Sequence, residues 1–435
     1  MIIKALLQVC LGQCLFLKKQ REEDKRMKKK VLAFLLASTM IIEPFTVASA
    51  ADFSDGMGQD TVQFSDDAED VPEVENDDVD QFGTDAVGEG ESSSKPLEGA
   101  IQMGNDVWMT YDDSTRTVTI SGTGDMWDYL QDGATLDGAE NPLINQDMNT
   151  LIIGDGITHV SDYLLYKEEG NLFYGHGVQT IQIGKNVKSI GKYAFHCETS
   201  LNEVKFMGND IQELGENCFR MCRGMNNIIL PDNINKLGDG CFAECTGLKT
   251  ITLPDSLKEI SDNCFYECES LKEINIPDNV SDINYHAFQN CSGLKKVTFS
   301  INSKLEGIEY YAFDHCSRLE EINLPDRLRE IGMCAFSGCS KLNNVIVPSS
   351  VRIIPREAFL DCSNLSKITL NEGLVGISER AFEQCVRLQE ISIPQSVKRI
   401  GYNVENDEDY CLGNPFIGCD NLTYCATSNR LCENL

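Results

Sequence analysis

The sequence predicts a solenoid of the α/β or mainly β class, in which short repeats stack along one axis. Phenylalanine recurs every 23 to 25 residues from Phe195 to Phe382. A unit of that length is too short to enclose a core, so it must bury its apolar face against copies of itself. Prolines at one fixed point of several units indicate a strand followed by a turn. The recurring phenylalanines are Phe195, Phe219, Phe242, Phe265, Phe288, Phe313, Phe336, Phe359 and Phe382.

Each repeat carries the same apolar pattern, which is clear in residues 319–339. Leu319, Ile322 and Leu324 have the spacing of a short strand that points alternate residues inward, and Pro325 ends its ladder. About six buried apolar side chains contribute roughly 9–18 kcal/mol per unit, before the large entropy cost of ordering the unit is subtracted. Only the stack is therefore expected to be stable. The other fixed positions of this unit are Leu328, Ile331, Ala335, Phe336 and Cys339.

This pattern resembles the BspA-like leucine-rich repeat family, whose units read Ile-x-Ile-Pro…Val-x-x-Ile-x-x-x-Ala-Phe-x-x-Cys. The resemblance extends over about residues 179–419, with a degenerate unit that begins at Leu151. It implies a leucine-rich repeat right-handed superhelix with a parallel sheet on one face. It also implies a bacterial protein that is secreted or displayed at the cell surface, often in adhesion, and it brings no shared active site with it.

The first fifty residues have the organisation of an export signal. Residues 27–50 begin with Met27 and three lysines, continue with an apolar run from Val31 to Ile42, and end in small residues at 48–50. This is the pattern of a secretory signal peptide, so residues 1–26 are interpreted as a probable upstream mis-start. The run is too short for a membrane span, and no membrane insertion of the mature chain is predicted.

Residues 51–99 are predicted to be an acidic disordered linker. They contain sixteen Asp or Glu residues against the single Lys95, about half of the net charge of −31. Low hydrophobicity with high like charge cannot offset the entropy of ordering a chain. The segment is interpreted as a solubilising linker, with a spacer or cation-binding role as the alternative. The strong acidity also makes nucleic acid an unsuitable partner.

Residues 100–150 are predicted to form a β-hairpin that serves as the amino-terminal cap. A turn at Asp112 separates two alternating segments, and the first strand of any solenoid is an edge that must be covered. Trp108 and Trp127 are interpreted as cap core rather than as platforms for sugars. The solenoid is assigned to residues 151–421, and residues 422–435 are assigned to a carboxy-terminal cap or tail.

The nineteen cysteines are interpreted as structural thiols rather than metal ligands. Pairs such as Cys218 and Cys222 have a zinc-like spacing, but the second cysteine recurs once per turn as far as Cys385. A metal cluster would not need that periodicity, whereas a small buried thiol at a tight bend explains it. Cys411, Cys425 and Cys432 lie outside the series, and one disulfide is predicted among them.

No catalytic residue, metal site or cofactor is predicted. The chain has five histidines, and His315 next to Cys316 is the nearest approach to a nucleophilic pair. Adjacent residues of an extended chain point apart, so the two side chains are not expected to act together. The sequence therefore favours a binding protein over an enzyme.

The candidate ligand-binding residues are the exposed positions of the predicted strands. Polar and mixed in charge, they favour a broad interface with a protein or glycan on host or neighbouring cells. The function predicted is that of an adhesin-like protein, secreted or on the cell surface, that binds through a concave sheet. The alternative is a structural spacer or rigid surface rod without a specific ligand. The selected residues are Thr250, Thr252, Glu273, Asn275, Lys296, Thr298, Glu321, Asn323, Asn344, Lys367 and Thr369.

Overall fold

The computed structural model describes residues 98–130, 140–166, 175–402 and 413–422, and the backbone of residues 424–427. The described chain is mainly β and contains no helix, which confirms the β alternative of the predicted fold class. No described segment is a helix long and apolar enough to cross a membrane. The predicted signal peptide, nearly all of the predicted linker, and the side chains of the three cysteines outside the series lie beyond the described residues.

The cap is a β-hairpin, as predicted. Strand β1 (Ile101–Gln102) pairs with β2 (Gly104–Asp112), and β2 pairs antiparallel with β3 (Thr117–Met126). In the connecting turn, the Asp112 carboxylate accepts hydrogen bonds from the backbone N–H of Ser114, at 2.9 Å, and from its hydroxyl, at 2.7 Å. An aspartate that bonds the backbone two residues ahead fixes such a turn locally.

The two tryptophans contribute less to the cap core than the sequence led us to expect. Trp108 and Trp127 are each only half-buried. Successive side chains of a strand point to opposite faces, and Trp108 stands between two residues that point inward. The cap core is instead made of fully or almost fully buried aliphatic and thioether side chains, namely Met103, Val107, Met109, Val118 and Ile120.

Strand β3 connects the cap to two separate ladders of the solenoid. Its first half, residues 117–120, pairs in parallel with β4 (Thr150–Ile153), and its second half pairs with β5 (Ile157–Val160). Gly122 lies between the halves with a φ of +113°, and a Cβ there would stand 1.9 Å from the Asp106 carbonyl oxygen. Only glycine fits this close crossing of two backbones.

The first ladder consists of the long strands, one from each turn. They run parallel, and in most of the strands from β4 to β24 a more exposed residue alternates with a more buried one, which is the strand pattern predicted for each repeat. In sheet order, β4, β6 and β8 are continuous, and β10–β12, β14 to β22 and β24–β26 form further sheets. After β4 the strands are β6 (Thr180–Ile183), β8 (Glu203–Phe206), β10 (Asn227–Ile229), β12 (Thr250–Thr252), β14 (Glu273–Ile276), β16 (Lys296–Phe299), β18 (Glu321–Ile322), β20 (Asn344–Val347), β22 (Lys367–Leu370), β24 (Glu390–Ile393) and β26 (Tyr424–Thr427).

The second ladder consists of short strands on the return path of each turn, which the sequence analysis treated as turn. Strand β5 buries its first and last residues, and each later strand buries its second residue or lies wholly inside. The strands pair in parallel with their equivalents in neighbouring turns. After β5 the strands are β7 (Ser189–Ile190), β9 (Glu213–Leu214), β11 (Lys236–Leu237), β13 (Glu259–Ile260), β15 (Asp282–Ile283), β17 (Gly307–Ile308), β19 (Glu330–Ile331), β21 (Ile353–Ile354), β23 (Gly376–Ser378) and β25 (Arg399–Tyr402).

The recurring phenylalanines form one continuous stack inside the solenoid. From Phe219 to Phe416, neighbouring ring centroids are 5.2 to 5.6 Å apart and the ring planes differ by 2° to 8°. Stacked rings add about 0.5–1.5 kcal/mol per pair beyond the apolar area that they bury. From Phe219 to Phe416, each turn thus packs against the next through an equivalent phenylalanine.

The cysteine series forms a parallel column of hydrogen bonds. Each thiol donates to the carbonyl oxygen of the phenylalanine one turn earlier, at sulfur to oxygen distances of 3.0 to 3.2 Å. The thiol thereby satisfies a buried carbonyl at a bend, which gives each turn the same structural reason for a cysteine. These cysteines are free thiols in the structure, and they are Cys222, Cys245, Cys268, Cys291, Cys316, Cys339, Cys362, Cys385 and Cys419.

The residue before each of these thiols from Cys222 to Cys385 has a left-handed backbone. Its φ lies between +55° and +70°, although only one of the residues is a glycine. Non-glycine residues pay roughly 1–2 kcal/mol for this conformation, so the surrounding packing must over-determine it. The positions are Met221, Glu244, Glu267, Asn290, His315, Gly338, Asp361 and Gln384.

Candidate binding surface on the long-strand sheet

The structure places all eleven predicted site residues on the outer side of the long-strand ladder. Ten of them belong to strands β12 to β22, and Asn323 directly follows β18. Thr298 and Thr369 are half-buried, and the other nine are exposed. Their inward neighbours on the same strands, such as Ile274 and Ile322, are buried and hold the strands against the core.

The residues line up because equivalent positions of successive turns are paired in register. Glu273 stands opposite Lys296, and Lys296 stands opposite Glu321. Asn344 and Lys367 continue this column. Neighbouring strands of a sheet lie about 4.8 Å apart, so carboxylate and ammonium groups alternate closely and attract each other.

Internal hydrogen bonds engage only a few polar groups of this surface. The Thr298 hydroxyl donates a hydrogen bond to the side-chain carbonyl oxygen of Asn275 at 3.0 Å. The Asn323 amide donates to the Glu321 carboxylate, also at 3.0 Å. The surface therefore keeps donors and acceptors available to a ligand, as in wet protein interfaces.

A shallow cavity of about 480 Å³ lies on the same surface. It includes Glu321, Asn323 and Asn344 from the predicted set, and it brings in residues of the loops that precede the strands. Those loop residues vary from repeat to repeat, so the repeat pattern gave no reason to select them. The complete lining is Glu320, Glu321, Ile322, Asn323, Lys341, Asn343, Asn344, Ile346 and Asn364.

Two isoleucines interrupt the polar character of the surface. Ile229 is 81% exposed and Ile346 is 61% exposed, although both lie on strands. Ile346 borders the cavity, so an apolar contact is available beside the asparagines. The lining therefore combines apolar with polar surface.

One group of side chains in the described segments could supply three metal ligands. Asp128, His159 and Asp162 have ligand atoms that all lie within 4.8 Å of one another. These atoms already have partners: His159 Nε2 is 3.3 Å from Asp128 Oδ1, and Asp162 Oδ2 is 3.6 Å from Lys192 Nζ. Exposed groups of this kind are common without an ion, and the expectation of no metal site stays a prediction.

The Cys245 and Cys316 thiols of the repeats are buried, and His315 beside Cys316 has its own partner. Burial raises the pKa of Cys245 to about 12, so this thiol stays protonated. His315 Nδ1 lies 2.8 Å from Asp314 Oδ1, whereas the Cys316 thiol donates to the Phe288 carbonyl oxygen at 3.2 Å. The adjacent histidine and cysteine thus have separate partners, as the sequence analysis expected.

A stack of short parallel strands with buried leucines and isoleucines and an open polar sheet defines a leucine-rich repeat protein. The chain belongs to the BspA-type leucine-rich repeat family, whose model matches residues 168–295 and 294–409 in 6 copies. No curated protein sequence matches the chain.

Several solved structures are similar to this one. A leucine-rich cell surface protein of Faecalibacterium prausnitzii is 23% identical, with 78% of this chain and 96% of that chain covered and a TM-score of 0.40. A leucine-rich repeat protein of Bacteroides ovatus is 20% identical, with 74% and 94% covered and a TM-score of 0.41. A leucine-rich repeat protein of Eubacterium ventriosum is 18% identical, with 76% and 96% covered and a TM-score of 0.38.

Proposed function

We propose that this protein is secreted or held at the cell surface and binds a protein or glycan through its long-strand sheet, in an adhesin-like role. The observation that carries the proposal is the register of that sheet. Exposed Glu273, Lys296, Glu321, Asn344 and Lys367 follow one another in a single column beside a cavity. Family membership and the export signal in the sequence support the same location.

The proposed mode of binding is recognition by a pre-formed surface. The strands are held by the phenylalanine stack and by two ladders, so the polar groups need little ordering when a ligand arrives. Charges that alternate in sign along the column favour a ligand with its own alternating charges rather than a polyanion. No enzymatic activity is part of the proposal.

The test is saturable binding of purified residues 51–435 to an array of matrix proteins, mucins and glycans. A variant carrying Glu273→Lys, Lys296→Glu and Glu321→Lys reverses the charges of the column. We expect wild-type binding to at least one ligand and a loss of roughly 10-fold or more in the variant. Binding that the folded variant keeps would reject the long-strand sheet as the site.

A matched control reverses three exposed charges away from the strand face. Asp255→Lys, Arg327→Glu and Asp326→Lys change the net charge by the same amount, but these residues lie in the turns that follow the strands. This control should bind like the wild type. Equal losses in both variants would indicate a net-charge effect rather than a defined surface.

The rigid-rod function remains the second candidate, because one feature of the core favours it. The ring stack continues without a gap from Phe219 to Phe416, which couples the turns end to end. A spacer would need that rigidity and no specific ligand. The absence of binding anywhere on the array, with both variants folded, would favour this function.

A further inference from the structure

A groove of about 680 Å³ lies on the other ladder, along the short strands. We call it the tyrosine groove. Its lining includes the less polar side chains of Tyr310, Met333, Ile353 and Pro355, together with two glutamates and three arginines. Tyr285 lies beside the groove and packs against Tyr310. None of these residues belongs to the surface proposed above.

The two tyrosines are placed side by side by the repeat. Tyr285 follows strand β15 by two residues, and Tyr310 follows β17 by two residues. Their ring centroids are 5.4 Å apart, with the planes at 73°. They are 42% and 38% exposed, so part of each side chain is open to solvent. Met333 occupies the equivalent position of the next turn.

A glycine leaves space beside the groove, directly before the lining residue Ile308. Gly307 stands in the column between Asp282 and Glu330, where it leaves room for acidic groups. A Cβ at Gly307 would lie 2.6 Å from Asp282 Oδ1 and 3.7 Å from Glu309 Oε1. The carboxylates of neighbouring turns therefore lean toward the same opening.

The acidic groups around the tyrosines form no ion pair with a lysine or arginine within the described part of the chain, although the Asp262 carboxylate accepts a hydrogen bond from the Tyr285 backbone N–H at 3.0 Å. These groups are Asp262, Asp282, Glu309 and Glu330. Burial, with the nearby carboxylates of Glu330, Asp282 and Asp262, raises the pKa of Glu309. These carboxylates therefore lie close enough to repel one another, and a cation from outside would relieve that repulsion.

Two of the three arginines that line the groove are already paired with carboxylates outside its lining. Arg329 is committed to Glu306, with nitrogen and oxygen 3.1 Å apart. Arg356 pairs with Glu357 at 3.1 Å and with Glu379 at 3.3 Å. Arg352, the third arginine of the lining, lies two turns beyond Tyr310.

We propose that the tyrosine groove binds a short basic segment of a partner protein, with a lysine or arginine side chain seated between the tyrosine rings and the carboxylates. Aromatic faces attract ammonium and guanidinium groups, and the carboxylates supply the complementary charge. The groove extends over about three turns, or roughly 10–15 Å, which accommodates three to four extended residues. A bound metal ion fits less well, because Asp128, His159 and Asp162, far along the chain, form the only three-ligand cluster in the described segments.

The test is fluorescence anisotropy of the full chain with a labelled peptide of sequence Lys-Leu-Lys-Leu-Lys. Glutamate and glutamine versions of the same peptide test the charge. We expect the lysine peptide alone to bind, and about 0.5 M salt to weaken that binding because salt screens the charges. No binding of the lysine peptide, or equal binding of the glutamate peptide, overturns the proposal.

The decisive variant combines Tyr310→Ser with Glu309→Gln. Its matched control, Ile346→Ser with Glu321→Gln, removes one exposed apolar side chain and one carboxylate from the long-strand sheet. We expect the first pair of substitutions to weaken the affinity for the lysine peptide roughly 10-fold and the control pair to leave that affinity unchanged. Circular dichroism and urea midpoints identify any unfolded variant, and Tyr285→Ser then serves as the milder replacement. Unchanged affinity in the folded groove variants overturns the proposal.

Two competitors separate this proposal from related ligands. If calcium displaces the peptide and an equal concentration of magnesium does not, the groove is a cation site and the proposal is overturned. If choline displaces the peptide, the groove is a quaternary ammonium site and the proposal is likewise overturned. The array binding of the groove variant should equal that of the wild type. Failure of peptide binding with array binding intact would thus overturn this inference alone.

Discussion

The buried thiol column makes the stability of the solenoid sensitive to alkaline pH. Cys316 is fully buried, its thiol donates to the Phe288 carbonyl oxygen at 3.2 Å, and burial raises its pKa well above the usual value. The folded state therefore keeps the proton that the unfolded chain releases near pH 8.5. The stability that this thiol contributes is fully present below that pH and is lost as the pH rises toward the folded-state pKa.

The size of the effect follows from linkage. Between pH 7.5 and 9.5, one such thiol loses roughly 1.4 kcal/mol of its contribution to the free energy of unfolding. Cys316→Ala has no thiol to titrate, but it leaves a small cavity and an unpaired carbonyl, which cost about 1–3 kcal/mol at pH 7.5. We expect its deficit relative to the wild type to shrink by roughly 1.4 kcal/mol at pH 9.5.

Urea unfolding followed by circular dichroism, with a reductant present, measures both deficits. Phe313→Leu is the control, because it perturbs a neighbouring core position without adding or removing a titrating group. Its deficit, about 1–2 kcal/mol, should be equal at the two pH values. The same deficit for Cys316→Ala at both pH values would refute a protonated thiol in the folded state.

Three further predictions concern two backbone conformations and the loss of stability at acid pH. Glu267→Gly should stabilise the chain by up to about 1 kcal/mol in urea unfolding, since φ at Glu267 is +58°, whereas Glu269→Gly nearby should destabilise it. Gly122→Ala should lower stability by at least about 2 kcal/mol, because its Cβ would meet the Asp106 carbonyl oxygen; an unchanged melting temperature would contradict this. Burial lowers the pKa of His196 to about 4, so its contribution is present above about pH 6.5 and falls by roughly 1.4 kcal/mol per pH unit below it; His196→Phe should melt with a weaker acid dependence between pH 6.5 and 4.

The long strands could be predicted because their signal is carried by single side chains at fixed spacing. Leu319, Ile322 and Leu324 must all reach the core, so the alternation is visible in the sequence and the structure repeats it. The same alternation predicted that the candidate site residues would be exposed. Asn343 and Asn364 were missed because the residue type at their loop positions varies from repeat to repeat, so the repeat pattern did not single them out.

The short strands could not be predicted in the same way. Asp282–Ile283 is a two-residue strand, and two residues contain no period from which to recognise it. Such a strand forms because the turn before and the turn after supply hydrogen-bond partners, which is a property of the stack rather than of the segment. Tyr285 and Tyr310 lie just beyond these strands, so their neighbourhood became visible only with the second ladder.

Strand β3 has a consequence for the order in which the chain folds. Because one strand presents its two halves to β4 and β5, the hairpin offers a finished template for both ladders before any repeat is in place. Each later turn then adds mainly to the turn just completed, about 23 residues back. The solenoid can therefore assemble from its amino-terminal side, with each new turn added at one end and few alternative registers available to it. Loss of carboxy-terminal turns should shorten the molecule, whereas loss of the hairpin should remove the place where growth begins.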